Sequence, residues 1–203
     1  MSEKKNILMI LLFAIFFLSS CDDITVPKPR GYYRVDFPEK NYKPFIAKGK
    51  FKIQIPDYAK VDTSRADSGW YNIDFPKFNA IVYITYRDSV NTDKMVEESR
   101  SLVYKHTVKA DDIVEQAFIN APNNVYGSIY EIKGNAATSL NFHLIDSVSR
   151  YFRGSLYFGS KPNKDSLAPS IKFIENDVKY MMEKFEWDKN KLVETYEVNF
   201  SEP

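Results

Sequence analysis

The spacing of apolar side chains changes three times along this chain, and that pattern restricts the fold more than any single motif. Phe51-Lys52-Ile53-Gln54-Ile55 alternates apolar and polar until Pro56 ends it. Trp70–Phe75 and Phe78–Arg87 repeat the period of two on either side of Pro76-Lys77, and the short connection predicts a hairpin. Strand side chains alternate between faces, so Phe78, Ala80, Val82, Ile84 and Tyr86 share one. The spacing then becomes helical. Met95, Val96, Ser99, Leu102, Val103 and His106 line one face, with Asn91, Thr92 or Asp93 as cap. The period of two returns near Ile113–Ile119, Val125–Ile132, Thr138–Asp146 and Tyr151–Phe158. A final helix carries Ser166 as cap, Pro169 in its first turn, and a stripe of Leu167, Ile171, Ile174, Val178, Met181, Met182 and Phe185. Strands, helix, strands, helix is an α+β fold: a mostly antiparallel sheet packed with two main helices.

The N-terminus is of another kind. Lys4 and Lys5 precede the apolar stretch Ile7–Leu18, and Ser19-Ser20 lead to Cys21, the only cysteine. A stretch of about 12 residues suits a signal-peptide core, whereas a spanning helix needs about 20. The expected chemistry is cleavage before Cys21 and diacylglycerol attachment to its thiol. Two acyl chains hold a protein stably at a bilayer where one does not. The expected organisation is a lipoprotein signal peptide over residues 1–20, a lipidated Cys and extended tether over 21–31, one α+β domain over 32–187 and a polar tail over 188–203. Pro27 and Pro29 disfavour helix in the tether.

Charge and composition exclude several function classes. Removing Glu3, Lys4 and Lys5 with the leader reduces 28 basic and 27 acidic residues to 26 of each. That balance carries no nucleic-acid footprint. Gly127 and Gly134 make no phosphate loop, and Gly-x-Ser-x-Gly is absent. His106 and His143 are the only histidines, and with Cys21 acylated a zinc site would need carboxylates. Neither a metal, a cofactor nor a catalytic residue is expected. The aromatic content, 14 Tyr, 15 Phe and 2 Trp, predicts an aromatic sheet face. Leu140, Phe142, Leu144, Phe152, Leu156 and Phe158 point to the core. Asn141, His143, Tyr151, Arg153 and Tyr157 point away and form the candidate partner-binding surface.

Several stretches resemble the gliding-motility lipoprotein GldD family of the Bacteroidetes. They are Pro27-Lys28-Pro29-Arg30-Gly31-Tyr32-Tyr33-Arg34, Trp70-Tyr71-Asn72-Ile73-Asp74-Phe75-Pro76-Lys77-Phe78-Asn79-Ala80, Tyr104-Lys105-His106-Thr107, Arg153-Gly154-Ser155-Leu156-Tyr157-Phe158 and Asp165-Ser166-Leu167-Ala168-Pro169. The resemblance implies an envelope lipoprotein needed for surface gliding, a motility linked to type IX secretion, and supplies no catalytic residues. The expectation is therefore a non-enzymatic assembly or stabilising component, anchored in the outer membrane facing the periplasm, whose partners are other gliding and type IX secretion envelope proteins. The alternatives are an envelope enzyme acting on peptidoglycan or polysaccharide, and a small-ligand-binding lipoprotein. The layout is also similar to the PsbP-like α/β/α sandwich, a likeness of fold that carries no function.

Overall fold

Two turns of the same make-up shape the sheet. Pro76-Lys77-Phe78 and Ala121-Pro122-Asn123 each form a single 3-10 turn, and Asn79 and Asn124 follow them in the left-handed region at φ 47° and 53°. Asn tolerates that region better than most residues. In this computed structural model, which describes residues 35–160 and 163–188, the first turn joins β4 (Trp70–Phe75) to β5 (Ala80–Arg87). The second joins β6 (Ala110–Asn120) to β7 (Val125–Gly134). With β3 (Lys60–Asp62), β8 (Thr138–Ile145) and β9 (Tyr151–Phe158) they build a seven-stranded sheet in the order β3-β4-β5-β9-β8-β7-β6. Every pairing in it is antiparallel. A smaller antiparallel sheet joins β1 (Tyr42–Ala47), β2 (Phe51–Pro56) and β10 (Glu186–Trp187). The α+β expectation holds.

Two helices pack on opposite faces of the large sheet. Helix α1 (Thr92–Tyr104) is capped by the Asn91 side chain, which accepts from the Lys94 N–H. Its Val103 is buried with Tyr130, Ile132 and Ala136. Helix α2 (Lys164–Glu183) lies on the other face, where Ile174, Val178, Met181 and Met182 join the small sheet's Phe51, Ile53 and Ile55 in the main core. Each such side chain contributes about 1.5–3 kcal/mol when buried. The cap of α2 is Asn163, accepting from the Ser166 N–H, rather than Ser166 itself. His106 lies beyond α1, in a 3-10 turn over Lys105–Val108. Gly154 of β9 sits opposite Phe142 of β8. A Cβ there would fall 2.2 Å from the Phe142 ring, so the glycine admits that ring to the core.

The fold also holds Asp188, which the sequence assigns to the tail. Its N–H donates to the Lys50 carbonyl, and its carboxylate accepts from the Gly49 N–H. The leader, Cys21, the tether and residues 189–203 lie outside the described residues. No helix among the described residues is long and apolar enough to cross a membrane.

Candidate functional site

Helix α1 divides the second face of the large sheet in two. The covered half contains three of the five residues expected on a partner surface. Asn141, His143 and Tyr151 are 1%, 2% and 4% exposed, so they are interior residues rather than part of an open surface. The alternation that points them away from the main core is correct, but the helix layer closes over them. Asn141 is hydrogen-bonded inside: Ser155 Oγ donates to its Oδ1, and its Nδ2 donates to Thr138 Oγ1 at 3.2 Å. The His143 ring lies 5.9 Å from that of Tyr130 and 6.5 Å from that of Tyr151, and its Nδ1 has no hydrogen-bond partner.

Burial holds the His143 imidazole down at about 4, from an ordinary 6.5. The Glu115 carboxylate opposes the shift, and the Arg153 guanidinium adds to it. Between those values the unfolded chain takes up a proton that the folded chain refuses. Stability from this residue is therefore complete above pH 6.5 and is lost as pH falls toward 4, by on the order of 3 kcal/mol. Unfolding measured from pH 7 to pH 4 is expected to show this fall. His143→Phe, which has nothing to protonate, should flatten it.

The open half lies on β4, β5 and β9, and strand register sets its residues in rows. Arg153 faces Thr85, and Thr85 faces Trp70. Ser155 faces Tyr83, which faces Asn72. Tyr157 follows beside Ile81 and Asp74. Trp70 and Tyr83 are 42% and 46% exposed. Tyr83 meets Tyr157 edge to face at 5.6 Å. The guanidinium groups of Arg65 and Arg87 stand 5.7 and 5.8 Å from the Trp70 ring centre, within cation–π range. Arg87 Nη1 donates to the carbonyls of Ser68 and Tyr86. The Asp62 carboxyl is held below its ordinary range by hydrogen bonds from Ser64, and Asn72 donates to it.

Two adjoining concavities occupy this face. One, of about 510 Å³, lies between Asp62, Arg65, Trp70, Asn72 and Tyr83. The other, of about 350 Å³, is lined by Tyr83, Thr85, Arg153, Ser155 and Tyr157. Arg153 and Tyr157 are thus the two expected residues that reach a surface. Trp70 and Tyr83 were absent from the expected site, although both stand on the off-core parity of their strands. Only register places them beside Tyr157.

A third groove, of about 460 Å³, runs between the first half of α2 and the ends of β7 and β8. Two of its lining carboxylates, Glu131 and Glu175, both accept from Lys179 Nζ. Hydrogen bonding from Lys179 holds the Glu131 carboxyl low. Among the described residues, no group of three or more His, Cys, Asp or Glu side chains is placed to hold a metal ion.

The antiparallel sheet, packed with helices, leaves a patch of Trp, Tyr and Arg open among the described residues. A family model described as gliding motility lipoprotein GldD matches residues 22–187, and the chain belongs to that family. Membership makes it a lipid-anchored envelope protein involved in gliding motility. A search of curated proteins found no match.

Proposed function

We propose that this protein is a non-enzymatic assembly or stabilising component of the gliding machinery and of the type IX secretion apparatus linked to it. In this reading Cys21 carries the lipid, the anchor lies in the outer membrane facing the periplasm, and the open sheet face meets another envelope protein. The observation that supports it is the exposure of Trp70 and Tyr83 beside Tyr157 and Arg153 on a rigid sheet. Trp, Tyr and Arg dominate the energetics of protein interfaces, and a sheet presents them already ordered.

The double variant Tyr83→Ala, Tyr157→Ala tests the reading. Recovery of a crosslinked partner from cells is expected to fall by about tenfold or more, the loss of one hot-spot contact. Surface truncations away from the core change stability by about 0.5 kcal/mol, so the unfolding midpoint should hold. Unchanged recovery and normal gliding would remove this face. Cys21→Ala is expected to release the domain from the membrane fraction and abolish gliding, and normal gliding by that variant would contradict a role for the anchor.

A further inference from the structure

The larger concavity of the open face joins two aromatic rings to a set of polar groups. Trp70 and Tyr83 are 42% and 46% exposed, and both line it with Asp62, Ser64, Arg65, Asn72 and Thr85. Register sets Asn72 between Asp62 of β3 and Tyr83 of β5, with Trp70 and Thr85 on the adjoining row. The guanidinium groups of Arg65 and Arg87 stand 5.7 and 5.8 Å from the Trp70 ring centre. Close packing on a ring needs about 3.5–4.0 Å, so neither guanidinium is stacked on it.

The polar groups are reachable, and their hydrogen-bonding capacity is only partly used. Asp62, Asn72 and Thr85 are half-buried, and Arg65 is exposed. One Asp62 oxygen accepts from the Ser64 N–H at 2.8 Å, and the other from Asn72 Nδ2 at 3.4 Å, which leaves lone pairs on both. Among the described residues, nothing donates to Asn72 Oδ1, and the Thr85 hydroxyl and Arg65 guanidinium make no hydrogen bond. Charges of both signs interleave here. Asp62, Asp67 and Asp74 stand among Lys60, Arg65 and Arg87, with Arg153 beyond Thr85, and Arg65 attracts Asp62. A field without one dominant sign does not concentrate an ion. The volume, about 510 Å³, lies within the usual range for small-ligand sites.

We infer that this concavity binds a neutral saccharide unit. A sugar ring presents C–H groups on its face and hydroxyls around its rim. The C–H face packs on the Trp70 and Tyr83 rings, which are apolar surfaces held ready by the sheet. Each rim hydroxyl both donates and accepts. Asp62 supplies an acceptor, Arg65 donors, and Asn72 and Thr85 both. A neutral ligand also leaves the interleaved charges undisturbed. The inference goes beyond the docking reading and does not rest on it: the saccharide takes the β3 end of the face, and Arg153 and Tyr157 stand at the other.

The test uses the full lipidated chain in lauryldimethylamine oxide, a detergent without a sugar headgroup. It is titrated with the methyl glycosides of glucose, galactose, mannose and N-acetylglucosamine. Trp70 and Trp187 are the only tryptophans, and Trp187 is 7% exposed, so a saturable shift in tryptophan emission reports Trp70. Half-saturation near about 1 mM is expected for at least one glycoside. Asn72→Ala should weaken it about tenfold. By saturation-transfer NMR, Trp70→Ala should lose binding and Trp70→Phe should keep part of it, both with the unfolding midpoint held. A tetramer of the bound sugar that binds more tightly assigns the site to a glycan chain, and equal affinity assigns it to a free sugar. No saturable shift below roughly 100 mM, tighter binding of glucuronic acid or glucosamine, or full binding by Trp70→Ala overturns the inference. Loss of partner recovery in the Tyr83→Ala, Tyr157→Ala protein with no sugar bound by the native one leaves the docking reading standing.

Discussion

Asp177→Ala is expected to destabilise the domain by about 3 kcal/mol, the low end of the range for breaking a buried ion pair. Asp177 is 2% exposed and serves three donors. Tyr42 Oη donates at 2.8 Å, Tyr58 Oη at 2.6 Å, and Lys40 Nζ completes the set. Burial and this carboxylate push both tyrosine hydroxyls well above their ordinary value, so they remain donors at any working pH. Removing Asp177 leaves the two hydroxyls without their acceptor. The loss stays at the low end because Lys40 is partly exposed, still donates to the Phe173 carbonyl and still lies 3.8 Å from the Phe173 ring centre. For a domain of this size the change lowers the melting temperature by roughly 6–12 °C. Tyr58→Phe should cost about 1 kcal/mol, and combining it with Asp177→Ala should cost less than the sum. A melting temperature unchanged in Asp177→Ala would show that the three contacts do not stabilise the fold. The location matters for a lipid-anchored protein. Lys40 and Tyr42 lie just after the stretch that leads from Cys21, so this cluster fastens the incoming chain to α2.

The long strands and both helices were legible because their apolar periods are regular. What escaped were elements whose existence depends on a distant partner. Strand β1 contains Pro44 and no alternation, and it exists by pairing with β2. Strand β10 has two residues and pairs with the other edge of β2. The site was half legible for a related reason. Parity in β8 and β9 separates Asn141, His143, Tyr151, Arg153 and Tyr157 from the core side correctly, because it follows from chain geometry alone. Which of them α1 covers depends on where a helix docks, and no local period encodes that. The same limit hid Trp70 and Tyr83, which become a surface with Tyr157 and Arg153 only once β4, β5 and β9 are laid in register.

Phe51→Ala is expected to be the most damaging single truncation, at about 3–5 kcal/mol. Phe51 is fully buried on β2 and meets rings of both sheets and Phe185, just beyond α2. Its ring lies 4.9 Å from Phe152, 5.2 Å from Tyr71, 5.7 Å from Tyr86 and 6.0 Å from Phe185. Those neighbours are themselves large rings fixed by other contacts, as Phe152 is by Phe185 and Phe142. They cannot collapse into the void, which places the loss at the upper part of the range. Against a total of about 5–15 kcal/mol, such a loss removes a large share of the folded population's margin. Thermal unfolding should show a fall of roughly 6–20 °C, and Phe51→Leu, which keeps most of the volume, should lose less than half as much. The comparison with Tyr83→Ala separates two causes of lost gliding. Phe51→Ala abolishes it by depleting folded protein from the envelope, visible as low abundance. Tyr83→Ala removes a 46%-exposed ring and, on the proposed docking role, is expected to impair it with the protein present at normal level. Normal abundance together with lost gliding in Phe51→Ala would contradict this division between a core that holds the sheet and a face that uses it.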